Sequence, residues 1–133
     1  MGSKEEHPVL VADDDGRMLE MLRAMLEQFG FRDIVTVGSG LEAMRRMENE
    51  AFELAICDHH MAPITGLELL RELRQDERWA HLPFLLITAD DVIAIVRAAA
   101  KAGVDVLIKP IRPDVLFERL VRLLGNDRLA RMA

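Results

Sequence analysis

An open α/β sheet, parallel and covered by helices on both faces, is the fold class this sequence predicts. Short apolar runs alternate with longer stretches of helical period about five times from end to end. The runs are too short and too continuously apolar for amphipathic helices, as expected of strands buried on both faces. With 133 residues, the chain holds one ordinary core and leaves no room for a second domain.

Residues 8–13 (PVLVAD) are the first strand candidate. The first helix follows over 15–29, with Met18, Met21, Leu22, Met25 and Phe29 on one stripe and Gly30 as the stop. Residues 33–37 (DIVTV) are the second strand, after which Ser39 caps the second helix and Glu42 completes a capping box. Residues 52–58 (FELAICD) read as the third strand, and Thr65 with Glu68 repeats the capping signal ahead of a helix over 66–74. Residues 76–82 make a polar loop around the single tryptophan, Trp79. After the fourth strand, 83–88 (PFLLIT), Asp90 or Asp91 caps an alanine-rich helix that ends at Gly103. The fifth strand, 105–108 (DVLI), leads to a last helix with Pro113 in its first turn and Leu124 at its end. One domain over 8–124 is therefore expected, after a disordered segment 1–7 and before a tail or linker start at 125–133. Short right-handed crossovers then place helices on both faces.

Composition excludes several functional classes. Half the residues are hydrophobic and the net charge is −6, which is not a disordered composition. The acidic balance offers no basic patch for phosphate backbones, so no nucleic-acid contact is expected. No apolar run approaches the roughly 18 residues of a membrane span, and the polar start MGSKEEHP is unlike a signal peptide. Cys57 is the single cysteine, which fits a reducing cytoplasm.

Ligands of such sheets bind beyond the carboxyl ends of the strands. Those ends carry Asp13, Asp14 and Asp15, then Asp58, then Thr88, then Lys109-Pro110. Two carboxylates about 5 Å apart repel by roughly 3 kcal/mol at an effective dielectric near 20, so a compensating cation is expected. Carboxylate oxygens with no cysteine or histidine in ligand spacing suit Mg²⁺ better than Zn²⁺. Asp15 by itself reads as the cap of the first helix. In isolation, Thr88 reads as an ordinary strand residue and Lys109 as a surface lysine before a break.

The set VLVADDD, LAICDHHM with Gly66, LLITA and VLIKP, in this order at successive strand ends, resembles the receiver domain of bacterial two-component response regulators, chemotaxis regulators among them, over residues 8–124. The resemblance implies a doubly wound (βα)5 flavodoxin-like sheet with strand order 2-1-3-4-5. It implies that Asp58 accepts a phosphoryl group from a histidine kinase or histidine phosphotransfer protein. Asp13 and Asp14 match the acidic pair that holds Mg²⁺ beside Asp58, Thr88 the hydroxyl that meets the phosphoryl group, and Lys109 the cation that pairs with it. His60, two residues past the acceptor, borders the phosphoryl group, and its backbone carbonyl is placed to reach the metal. Such a domain is a phosphoacceptor that promotes its own phosphorylation and dephosphorylation, not an enzyme acting on a separate substrate. Elementary chemistry agrees, since a carboxylate attacks phosphorus competently once the transferring charge is neutralised and aligned. Mg²⁺ and Lys109 balance three carboxylates at rest. Phosphorylation, with about −2 on the phosphoryl oxygens, leaves one negative charge in excess, which a hydrogen bond from Thr88 answers.

The chain also departs from the family pattern. Met61-Ala62-Pro63 sets the loop proline one residue late, although the spacing from Asp58 to Gly66 is kept. His59 and His60 read as a solvent-facing pair, Cys57 as core on the strand face opposite Asp58, and Ala89 as small enough to leave access open. Val106 stands where many receivers carry Tyr or Phe, and the chain has no tyrosine. Val92, Ile93, Ile95 and Val96 in the fourth helix, with Val115, Leu116, Phe117, Leu120, Val121, Leu123 and Leu124 in the fifth, predict a docking surface for a second copy or an output partner. A haloacid-dehalogenase-type phosphatase would want Thr or Val two residues after Asp15, where Arg17 stands. A flavin carrier would want a phosphate-binding loop where three carboxylates stand. A degenerate receiver used only for protein contacts would not need the full chemical set.

Overall fold

The computed structural model describes residues 7–89 and 93–125. Strands β1 (Val9–Ala12), β2 (Ile34–Val37), β3 (Leu54–Asp58), β4 (Phe84–Thr88) and β5 (Asp105–Ile108) alternate with helices α1 (Gly16–Gln28), α2 (Gly40–Asn49), α3 (Gly66–Arg74), α4 (Ile93–Lys101) and α5 (Pro113–Leu124). Every strand pair is parallel and the order is β2-β1-β3-β4-β5, the doubly wound order expected.

The continuous apolar runs have a direct structural reading. Successive side chains of a strand point to opposite faces, and both faces here are covered. Leu10, Ala12, Ala55, Cys57, Phe84 and Leu86 enter a core shared with α2, α3 and α4. Their neighbours Val9, Val11, Leu54, Ile56, Leu85 and Ile87 enter a second core shared with α1 and α5. Cys57 is thus a core residue, as its place in the alternation predicts. The first four strands begin one or two residues later than expected, leaving Pro8, Asp33, Phe52, Glu53 and Pro83 outside the ladder. A proline cannot donate to that ladder.

Caps follow the sequence signals with one adjustment. Asp15 accepts from Arg17 N–H at 3.0 Å, as a helix cap should. At α3 the box is complete, with Thr65 Oγ1 accepting from Glu68 N–H and Glu68 accepting from Thr65 N–H. At α2, Ser39 accepts from Glu42 N–H, but the Glu42 carboxylate reaches back to Gly38 N–H instead of Ser39. Gly30 stops α1 at φ 105°, a conformation natural to glycine.

Three expectations need correction. The buried stripe of α1 is Leu22, Met25 and Leu26, while Met21 is exposed. The loop at 76–82 is not simply polar, because Trp79 and Leu82 belong to the core on the α2–α3 side. Arg78 lies 4.0 Å over the Trp79 ring, and Arg74 donates to the Trp79 carbonyl. Packing also absorbs most of the apolar surplus of α5. Leu116 and Leu120 are fully buried and Val115, Val121, Leu123 and Leu124 pack against the same core, while Phe117 turns its ring edge-on to Phe29 of α1 and stays exposed. On α4, Ile93 and Val96 stay exposed. The caps Asp90 and Asp91, Val92, the segment 1–6 and the tail 126–133 lie outside the described residues. No helix among the described residues is long and apolar enough to cross a membrane.

Candidate functional site

Parallel strands end on one edge of the sheet, and that edge gathers the charged residues. Asp13 follows β1, Asp58 closes β3, Thr88 closes β4 and Lys109 follows β5. Backbone bonds extend the ladder just past these ends. Asp13 N–H donates to Val37 O at 3.1 Å, His59 N–H to Ile87 O at 2.7 Å, and Lys109 N–H to Thr88 O at 2.8 Å. Each functional side chain therefore leaves a backbone already fixed by its neighbour.

Lys109 Nζ lies 2.9 Å from Asp58 Oδ1 and 3.5 Å from Asp13 Oδ2. Both carboxylate side chains are 2% exposed, and the lysine is 21% exposed. Burial pushes the Asp13 pKa up, the Asp58 charge adds to the rise, and the Asp15 N–H and Lys109 only partly oppose it. Burial acts to lower the Lys109 pKa, but the contact and charge of Asp58, then of Asp13, outweigh it and hold the ammonium more firmly. In β3, burial and then the charges of Asp58 and Asp13 push the Cys57 thiol far above its usual range, so it is unreactive.

The donor set fits a hard divalent cation. Asp13, Asp14 and Asp58 each offer an oxygen within 4.8 Å of the others. Asp13 Oδ2 and Asp58 Oδ1 are buried without a well-directed hydrogen bond, although Lys109 faces both. One lysine against three carboxylates leaves a negative surplus, and oxygen donors of this kind match Mg²⁺. Asp15 stands apart as the α1 cap, its N–H donating to Asp13 Oδ1 at 2.9 Å.

Thr88 is fully buried at the end of β4, one register step beyond the Ile87 that pairs with Asp58. His60 is exposed and is not one of the clustered side chains. Its ring sits edge-on to His59, centroids 5.1 Å apart. The expected solvent-facing pair is only half realised, because His59 is partly buried while His60 is exposed. Ala89 is exposed. The Ala62–Pro63 and Lys109–Pro110 peptide bonds are cis.

In the sequence, Gly66 is a spacing mark and the first residue of the third helix, and its contact with β3 is not visible there. A Cβ added there would run into the Asp58 carbonyl oxygen and come within 2.8 Å of Leu86 Cδ1, so α3 begins directly against the backbone of Asp58. Gly66 N–H donates to His59 O at 3.0 Å, closing the intervening loop. The kept spacing from Asp58 to Gly66 was the available signal.

The family model for the response regulator receiver domain matches residues 9–121. Chemotaxis protein CheY1 of Helicobacter pylori is 33% identical over 121 residues, covering 90% of this chain and 98% of that protein. The structure of chemotaxis response regulator CheY4 of Vibrio cholerae matches with a TM-score of 0.80 at 26% identity, over 90% of this chain and 99% of that one. The receiver domain of sensor histidine kinase PA1611 from Pseudomonas aeruginosa, which has a magnesium ion coordinated in its active-site cleft, matches with a TM-score of 0.79 at 25% identity, over 91% and 99%.

Proposed function

Because the chain belongs to the response regulator receiver domain family, we propose that Asp58 accepts a phosphoryl group from a phosphohistidine of a histidine kinase or histidine phosphotransfer protein. The observation that carries this reading is the buried Asp58 carboxylate, held by Lys109 at 2.9 Å and within ligand reach of Asp13 and Asp14. Asp13, Asp14 and Asp58 would hold Mg²⁺, with the His60 backbone carbonyl as a further donor. The ion, when bound, neutralises charge on the transferring group and aligns it.

The chain's own residues do the rest. An Asp58 carboxylate oxygen attacks phosphorus as the P–N bond of the donor breaks and the electron pair leaves with the imidazole nitrogen. Lys109 then trades its Asp58 contact for a phosphoryl oxygen. The Thr88 hydroxyl, at the end of the adjacent strand, donates to another. Water attack on phosphorus of the acyl phosphate breaks the P–O bond to Asp58, releases inorganic phosphate, returns the Asp58 carboxylate and so limits the signal's lifetime. A cytoplasmic location fits this partner.

Incubation with acetyl phosphate and Mg²⁺ is expected to add one phosphoryl group to the intact mass, and EDTA is expected to prevent it. Full labelling in EDTA overturns the metal assignment, and no labelling under any condition favours a receiver that works only through protein contacts.

Output runs through the α4–β5–α5 side, for a second copy or another partner, where Ile93 and Val96 are exposed. Val106 is β-branched and stiff at its first torsion, and its carbonyl accepts from Arg119 Nη1 at 3.3 Å. The signal therefore travels by backbone shifts after Thr88 and in α4. With beryllofluoride and Mg²⁺, amide shifts are expected to be larger over 89–98 than at Val106, and to collapse in Thr88→Ala. The reverse order refutes the route.

A further inference from the structure

The α2–α3 side carries an opening that the acceptor chemistry does not use. A groove of about 560 Å³ between the two helices is lined by Leu41, Met44 and Ile64. Leu41 is 52% exposed at the start of α2. Ile64 lies over Gly40, where an added Cβ would come within 2.7 Å of Ile64 Cδ1, so the floor is seated directly on backbone. One stripe of α3 forms the rim, with Glu68, Arg71, Glu72 and Gln75 at helical spacing i, i+3, i+4 and i+7. Arg71 and Glu72 are exposed and form no ion pair among the described residues.

That stripe is complementary to itself. When a second α3 lies antiparallel about a two-fold axis between positions 71 and 72, Arg71 of each copy faces Glu72 of the other. The same axis sets Glu68 against Gln75. A parallel arrangement would oppose like charges at both positions.

We propose that this groove binds a second copy of the chain in the antiparallel, two-fold arrangement, with Leu41 and Met44 of both copies closing over the apolar floor. A two-fold contact uses one patch twice, so each favourable pair is counted twice. Exposed ion pairs contribute little each. The apolar lining thus supplies attraction, and the charges set register and partner choice. The groove exists without modification of Asp58, so the proposal stands independently of the phosphoacceptor reading.

Sedimentation equilibrium on the untreated full chain tests it. The wild type is expected to dimerise with a dissociation constant on the order of 100 μM, as suits a small transient interface. Leu41→Asp is expected to abolish the dimer. Arg71→Glu sets an introduced glutamate opposite Glu72, and Glu72→Arg sets an introduced arginine opposite Arg71, so each alone is expected to weaken association about tenfold. An equimolar mixture of the two restores it, because every facing pair is again of opposite charge. All three positions are exposed, so the variants keep the fold. A wild type that stays monomeric to about 1 mM, a dimer indifferent to Leu41→Asp, or a mixture that fails to recover association overturns the proposal.

Discussion

Asp58→Asn is expected to abolish labelling by acetyl phosphate and, in the same molecule, to make the metal-free protein more stable. A carboxamide forms no acyl phosphate, so the first effect is complete loss of the added mass. The second follows from charge. Three carboxylates cluster at the strand ends and Lys109 pairs with two of them, Asp13 and Asp58, so removing the Asp58 charge relieves the rest while Lys109 keeps Asp13. Asp13 fixes the pH dependence. Its pKa is raised by burial, with the Asp58 charge contributing, so the folded state holds that proton longer than the unfolded chain. Stability linked to Asp13 is therefore fully present below the ordinary value of 3.8 and is lost as pH rises through the higher folded value. The gain in Asp58→Asn is expected to be about 1 kcal/mol at pH 7 and to shrink toward pH 4. Mg²⁺ is expected to stabilise the wild type more than the variant, because ligands that bind only the folded state stabilise it in proportion to affinity. Urea melts at the two pH values, with and without Mg²⁺, read these effects, and intact mass reads labelling. A phosphoryl group on the variant refutes the acceptor assignment, and a variant less stable than wild type at pH 7 refutes the charge argument.

What the sequence made legible depended on how many residues carried each signal. Strand positions rested on runs of apolar residues, and the two cores explain why those runs needed no polar alternation. The convergence of Asp13, Asp58 and Lys109 was legible because a parallel sheet puts every strand's carboxyl end on one edge, so three distant positions become neighbours once the topology is known. Lateral packing was harder to read. Phe117 stays exposed on α5 as its spacing predicts, but it also meets Phe29, a pairing set by how α1 and α5 cross and not by the spacing of either. Trp79 sits in a loop among polar residues, and nothing in that neighbourhood signals that its ring packs into the core beneath Arg78. Met21 fell on the predicted stripe of α1, but Leu26 took the buried place, because a helix face is chosen by what lies opposite. The role of Gly66 depends on a carbonyl eight positions earlier, a distance that no local pattern reports.

Gly66→Ala is the second large effect expected, and it acts on the fold and the chemistry together. The added methyl meets the Asp58 carbonyl and approaches the Asp58 carbonyl carbon to 2.9 Å and Leu86 Cδ1 to 2.8 Å. Leu86 has no room to yield, being fully buried in the interior strand β4, and the Asp58 backbone is tied to β4 through the ladder. Relief must come from moving α3 off the sheet or bending the end of β3. Overpacking against backbone is expected near the upper end of the usual range, about 3 kcal/mol, or roughly 10 °C in melting temperature for a domain of this size. Displacing the acceptor by even part of an ångström is expected to slow labelling on the order of a hundredfold. Gly40→Ala is the matched control. Its methyl meets no backbone at close range, only Cγ1 and Cδ1 of Ile64, so relief takes a rotamer change of one half-buried side chain and not the movement of an element, and alanine in the first turn of α2 offsets part of that cost with up to about 1 kcal/mol of helix propensity. Its effect on stability and labelling is expected to be a small fraction of that at Gly66. Thermal melts and labelling rates of both variants decide the matter, and a Gly66→Ala protein that melts within about 2 °C of wild type and labels at the wild-type rate shows that contact between α3 and the acceptor backbone does not hold the site.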